Sequence, residues 1–221
     1  MSKSTFFKSI GYKVLMALSG FFLMFFLVQH LTINLISIFS PNDFNEVSHF
    51  MGTNPLVQFL LQPFLIFAVV FHFVMGMFLE YRNNKAREIN YAYNKPSANS
   101  SWMSRNMIFS GVVVLSFLGL HFYDFWIPEM QYKYVEFLPE NPDRYYEELI
   151  HKFESPTRVV LYNISFIFLS LHLLHGFSSS FQTMGFNNKY TYSLKFFTFS
   201  FSIIIPLGFI LISVFHYLNI H

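Results

Sequence analysis

Five stretches of this chain run for about 20 residues or more with no acid or base in their middles, enough to cross about 30 Å of hydrocarbon as helix. Backbone in lipid must satisfy its own hydrogen bonds, and a helix does so within one segment. The expected fold is therefore an all-α integral membrane bundle of five transmembrane helices, near 13–39, 56–81, 104–127, 156–184 and 192–218, forming one domain over residues 1–221. Ser155-Pro156 reads as an N-cap and first-turn proline, and Pro206 with Gly208 as a kink in the last span. The first apolar run follows Lys3, Lys8 and Lys13. From Val14 to Phe39 it is longer than a signal-peptide core and ends without a small-x-small cleavage site, so it reads as a retained helix.

Lys and Arg set the expected orientation. Lys3, Lys8 and Lys13 precede the first span. Arg82, Lys85, Arg87, Lys95 and Arg105 lie between the second and third, and Lys189 and Lys195 between the fourth and fifth. The opposite connections are acidic: 40–55 has Asp43 and Glu46 and no base, and 128–155 sets Lys133, Arg144 and Lys152 against seven acids. This predicts a cytoplasmic N-terminus and a C-terminus outside. Asn141-Pro142-Asp143 looks like the start of a short interfacial helix over Arg144 to Phe153. The polar connection 82–103 is the largest cytoplasmic surface and the natural place for a soluble partner to dock.

Four histidines sit inside the apolar spans, where an imidazole needs a reason to be. Ser19-Gly20 precedes His30 by nine intervening residues, and Ser110-Gly111 stands in the same relation to His121. His72 and Gly76 form a His-x3-Gly pattern that His172 and Gly176 repeat. His30 and His121 lie 17 and 16 residues past Lys13 and Arg105, in the outer half. His72 and His172 lie 17 and 16 residues past Pro55 and Pro156 on inward-running spans, in the inner half. Two histidine pairs thus match in depth, span direction and neighbouring motif. That is what two haem irons with two axial imidazoles each require, one above the other. The chain has no cysteine, so thiolate-ligated haem, iron–sulfur clusters and disulfides are excluded within it.

Ser19 and Ser110 fall about 16 Å deeper than their histidines on the same helix face, at the level of the inner pair. There a hydroxyl could bond a propionate or a ligating imidazole, while Gly20 and Gly111 let a macrocycle come close. Gly76 and Gly176 lie one turn past their histidines, where a larger side chain would crowd a ring plane. His175 competes with His172 on depth, and the shared His-x3-Gly pattern favours His172, leaving His175 beside the inner haem. His49, His151, His216 and His221 are at loops or helix ends and read as surface residues.

The five spans, with Gln29-His30-Leu31 in the first, Phe71-His72 and Gly76 in the second, His121 near the end of the third, and His172 with Gly176 in the fourth, resemble the di-haem cytochrome b subunit of succinate:quinone oxidoreductase and quinol:fumarate reductase. The likeness covers essentially the whole chain, and the segment from His172 to Gly185 is similar to the b558 branch. The resemblance implies two haem b groups, His72 and His172 holding the one nearer the cytoplasm and His30 and His121 the outer one. It implies partners as well: a flavoprotein carrying FAD and an iron–sulfur subunit docked on the basic face, in a bacterial cytoplasmic membrane, with a dimer of the complex left open. It also implies a quinone substrate, menaquinone by the branch alone. A glutamate before the second span serves quinol deprotonation in fumarate reductases of this kind. Here that position is Asn45, and Glu46 is its neighbour, with His49 one turn on.

Two other readings compete. The cytochrome b subunit of a hydrogenase or formate dehydrogenase would show different histidine spacing. A haem-free transporter using histidines as proton relays would show acids in mid-span, and the sequence reads as having none there.

Overall fold

The computed structural model describes residues 3–85, 106–186 and 191–220. Arg87, Lys95, Arg105, Lys189 and His221, and with them most of the expected docking connection, lie outside the described residues. Every regular element among the described residues is helical: α1 (Lys3–Phe39), α2 (Pro41–Thr53), α3 (Val57–Lys85), α4 (Met107–Tyr134), α5 (Arg144–Phe153), α6 (Pro156–Thr183) and α7 (Thr191–Ile220). Five of them, α1, α3, α4, α6 and α7, are long and apolar enough to span a bilayer.

The connection after the first span is itself a helix. Ser40, in extended conformation, accepts a hydrogen bond from the Asp43 amide at 3.2 Å, Pro41 occupies the first turn, and α2 follows. Such a cap contributes about 1 kcal/mol, and Asp43 sits favourably at the positive end of the helix. At the other end of the molecule Gly185, with φ +82°, closes α6. Its amide bonds Gln182 O and the Phe186 amide bonds Phe181 O, both at 3.1 Å, a closure that needs the left-handed conformation glycine supplies. Ser155 stands at the N-cap of α6 but makes no side-chain capping bond, so Pro156 carries that start.

The third span does not stop before Pro128. A π-helical turn over Phe122–Trp126 follows His121, and the helix continues over Ile127–Tyr134. The widened turn changes the backbone pairing just ahead of Pro128, which has no amide hydrogen to give to an ordinary turn. The interfacial helix expected after Asn141 is α5, and it lies against α2, α6 and α7.

α6 is the central helix, packed along α7, α4 and α1, while α3 packs chiefly along α1. The half of the bundle that carries His30 and His121 holds the larger core, built from Leu31, Phe44, Phe153, Tyr162, Phe166 and Phe209 and their neighbours. Lipid offers no hydrophobic drive for helix association, so close packing and hydrogen bonds between helices hold the bundle. Ser213 donates to Asn163 Oδ1 at 2.6 Å and Ser170 to Ser202 O at 2.8 Å, tying α7 to α6. A Cβ added at Gly208 would lie 2.8 Å from both Leu31 methyl carbons, so α1 and α7 touch there with no room to spare. Exposed Phe25, Phe59, Phe67 and Phe196 face outward from the bundle, as a lipid-facing surface requires.

Candidate functional site

α1 and α4 run in one direction and α3 and α6 in the other, so each histidine meets a partner at its own level. The His72 and His172 rings lie 6.3 Å apart between centroids, crossed at 71°. The His30 and His121 rings lie 5.7 Å apart, crossed at 85°. A metal held by two imidazole nitrogens at about 2.0 Å each puts the ring centres about 6.3 Å apart; the inner pair has that spacing, and the outer pair, at 5.7 Å, would have to open slightly to take an iron. The donor set, four imidazoles and no carboxylate or thiolate, is that of bis-histidine haem. Among the described residues no group of three or more His, Cys, Asp or Glu gathers as a metal site of another kind.

Two serine hydroxyls decide which nitrogen of the inner pair is available. Ser19 Oγ gives its only proton to Met16 O at 2.8 Å, so its contact with His72 Nδ1 at 3.0 Å requires the ring to donate. Ser110 Oγ likewise donates to Met107 O at 2.9 Å and accepts from His172 Nδ1 at 3.3 Å. Both inner imidazoles therefore carry their proton on Nδ1 and present a bare Nε2, the form a metal takes. The hydroxyls thus meet the imidazoles, one of the two roles open to them from sequence.

The glycines follow the same repeat. A Cβ at Gly20 would meet His72 Cε1 at 3.6 Å, and one at Gly111 would meet His172 Cε1 at 3.5 Å. At Gly76 and Gly176 the neighbour is a methionine methyl, of Met16 and of Met107, each at 3.5 Å. The repeated unit is thus Met-x2-Ser-Gly-x9-His on one helix and His-x3-Gly on the next, closed twice by the same contacts. His175 turns instead to Ser179 on its own helix, Nε2 to Oγ 3.3 Å.

The outer pair is surrounded by rings rather than hydroxyls. Phe26 stacks on His30 at 5.3 Å and Phe209 lies 5.7 Å away. Phe117 stacks on His121 at 5.8 Å, with Phe125 and Tyr162 at 5.2 and 6.4 Å. His121 Nδ1 is buried with no hydrogen-bond partner among the described residues. Asn34 Nδ2 bonds the His30 carbonyl at 2.8 Å, and at 3.5 Å it is at the limit of contact with His30 Nδ1.

Three placements differ from the sequence reading. His216 is not at the surface: it is 1% exposed and joined to Ser37 Oγ at 2.8 Å. The third span does contain an acid. Asp124, in the π turn one step beyond His121, is 1% exposed, ion-paired with Arg158 and bonded by the Tyr162 hydroxyl at 2.8 Å. His49 is only half-buried overall, but its Nδ1 is shut off from water with no hydrogen-bond partner among the described residues. His151 is exposed, as expected.

At the end of the bundle covered by α2 and α5 a cavity of about 240 Å³ is lined by His49, Gln58, Tyr132, Arg144 and Tyr145 among others. The Arg144 guanidinium lies between the Tyr132 and Tyr145 rings, 4.1 and 4.4 Å from their centroids, and pairs with Glu129 and Glu148. Burial opposes its charge, but the hydrogen bonds to the two glutamates prevail and raise its pKa. Burial, aided by the charge of Glu129, pushes the Tyr145 hydroxyl up to about 12. Asn45 takes a structural part: its Oδ1 accepts from the Tyr146 amide at 2.7 Å and its Nδ2 donates to Asp143 O at 3.0 Å, capping α5 from a neighbouring helix. Glu46, next to it, is exposed on α2.

This chain is similar to a succinate dehydrogenase cytochrome b558 subunit. That protein, from Bacillus subtilis (strain 168), is 24% identical over 162 residues, 72% of each chain. No protein-family model matches the chain, and no solved structure matches it.

Proposed function

We propose that this chain is the membrane-anchor cytochrome b subunit of a succinate dehydrogenase or fumarate reductase, passing electrons between an iron–sulfur subunit and a quinone through two bis-histidine b haems. The single observation that carries the reading is the paired geometry: two couples of facing imidazoles at two levels, the inner couple with Nε2 left bare by Ser19 and Ser110. The distant likeness to a cytochrome b558 subunit supports the same reading.

His72 and His172 would hold the inner haem, and His30 and His121 the outer one. When bound, the two haems supply one-electron transfer across the membrane. Ser19 and Ser110 hold the ring proton on the side away from the metal, and Phe26, Phe117 and Phe209 keep water from the outer rings. Gly20, Gly111, Gly76 and Gly176 give the helices room to close around the site, and His175 stands beside it. Glu46 is the proposed proton acceptor for quinol at the outer face, where Arg144 and its partners fix α5 over the helix ends. The quinone is proposed as menaquinone.

The orientation, with the N-terminus cytoplasmic, rests on charge: Lys13, Arg82, Lys85 and Lys195 at one end, Asp43, Glu46 and the acids around α5 at the other. Arg82 lies over the Tyr12 and Phe78 rings, 5.5 and 5.6 Å from their centroids, which fixes a cation at the inner rim. The iron–sulfur subunit and its FAD-carrying flavoprotein would dock on that face of a bacterial cytoplasmic membrane.

A reduced-minus-oxidised absorbance spectrum of the purified chain, with haem extracted and counted, tests the reading. Two b haems per chain are expected. A chain that retains no haem when expressed with haem supply would overturn it.

A further inference from the structure

The ion pair of the third and fourth spans, buried at Asp124 and half-buried at Arg158, has no part in ligation, yet it stands against the outer couple. Asp124 begins one helical turn past His121, inside the π turn that rotates the following side chains about the helix axis. Its carboxylate is 1% exposed and takes Arg158 and the Tyr162 hydroxyl. The ring of that same Tyr162 lies 6.4 Å from the His121 ring and 5.0 Å from Phe117, which stacks on His121. A carboxylate and a guanidinium in a bundle of this kind are costly, and a helix clamp could be made from neutral groups.

The pair also breaks the internal repeat. The positions that correspond to Asp124, Tyr162 and Arg158 are Ile33, Gln62 and Gln58, none of them charged. The two charges therefore flank the outer couple on one side only. The inner couple lies about 16 Å deeper. In a medium of low dielectric a fixed charge acts strongly on a nearby redox centre and much less on a distant one.

We propose that Asp124 and Arg158 tune the outer haem electrostatically and in opposite senses: the carboxylate disfavours its reduction and the guanidinium favours it. This rests on the haem reading above. Asp124 and Arg158 are positioning residues here, since neither touches the iron; they act through charge, and Tyr162 sets where the carboxylate sits.

The test is an optical redox titration of the intact purified complex carrying Asp124→Asn, Arg158→Gln, both together, or Tyr162→Phe. Losing one unit charge about 12 Å from a redox centre, through an effective dielectric of about 20, changes its reduced-to-oxidised ratio about tenfold, and a shift of that order is expected for the outer haem. That equals about 59 mV for a one-electron couple. Asp124→Asn should raise the outer potential, Arg158→Gln should lower it, and the double variant should return close to the wild type. The inner haem should move much less in all of them, and Tyr162→Phe, which removes no charge, less than either single variant. Where Arg158→Gln does not assemble, Arg158→Lys should keep the wild-type value. Shifts of the same sign, equal shifts in both haems, or a Tyr162→Phe shift as large as that of Asp124→Asn would overturn the proposal. A wild-type chain without haem overturns both readings; two haems that ignore these substitutions overturn only this one.

Discussion

Ser19 accepts a hydrogen bond from the His72 ring, 3.0 Å from Oγ to Nδ1, and Ser110 does the same for His172 at 3.3 Å. A partner at the far nitrogen orients a ligating imidazole and raises its basicity, and losing such a partner costs roughly 10–100-fold in metal affinity. Ser19→Ala and Ser110→Ala are each expected to raise the inner haem's potential and weaken its retention by that order, leaving the outer haem as it was. Redox titration and haem retention under mild detergent check it. Equal effects on both haems would remove the serines from the inner site.

His121→Ala is expected to abolish the outer haem and spare the inner one, halving the haem content per chain. The separation follows from depth: His121 faces His30 and no inner ligand. His49→Ala and His151→Ala, on the outer surface helices, should keep both haems. Haem extraction with a protein assay measures all three.

Much of this was legible in the primary structure because lipid leaves so few choices. Apolar runs marked the spans, and the repeated Ser-Gly and His-x3-Gly patterns marked the levels where side chains would meet. What escaped was what depends on a partner remote in the chain. The spans read as free of mid-span acids until Asp124 is seen buried beside Arg158, 34 positions on. His216 reads as a helix-end residue until Ser37, 179 positions away, is seen to accept from it. α2 carried a local signal in Ser40-Pro41-Asn42-Asp43, a helix start as well as a stop, but its mixed composition gave no membrane-length run to point to it.

Gly208 offers a test of packing. Alanine there would place Cβ 2.8 Å from Leu31 Cδ1 and Cδ2 and 3.3 Å from Cγ, so the buried Leu31 side chain or the two helices must shift. Gly208→Ala should destabilise the bundle by about 1–3 kcal/mol. Leu31→Ala in the same chain should recover part of that loss. Thermal denaturation in detergent measures both, and additive losses would rule out the contact as the cause.

The outer cap should loosen in alkali. Tyr145 has a pKa near 10 when unfolded and is pushed up to about 12 by burial first and by Glu129 next. A raised pKa on an acid means the folded state holds its proton longer, so this contribution is complete below about pH 10 and lost as pH rises toward 12. Hydrogen exchange of α5 should quicken over that window, and Tyr145→Phe should flatten the response. An unchanged profile in the variant would assign the step to another group.

His216 completes a chain of bonds that ends at His30, a proposed ligand of the outer haem. Ser37 gives its proton to Asn34 O at 2.6 Å, so it must accept from His216 Nε2 at 2.8 Å, and Asn34 in turn holds the His30 carbonyl. Replacing His216 by Phe leaves a buried hydroxyl with an unmet acceptor site, at a cost of about 1–3 kcal/mol. Ser37→Ala removes the same bond from the other side. If the two groups act through each other, the double variant loses less than the sum, with a coupling of about 0.5–3 kcal/mol in denaturation measurements. The outer haem should also be lost more easily than the inner one in all three variants, because α7 braces the His30 turn through this link and through Phe209. Strict additivity, with both haems equally retained, would mean that His216 only fills space at the end of α7.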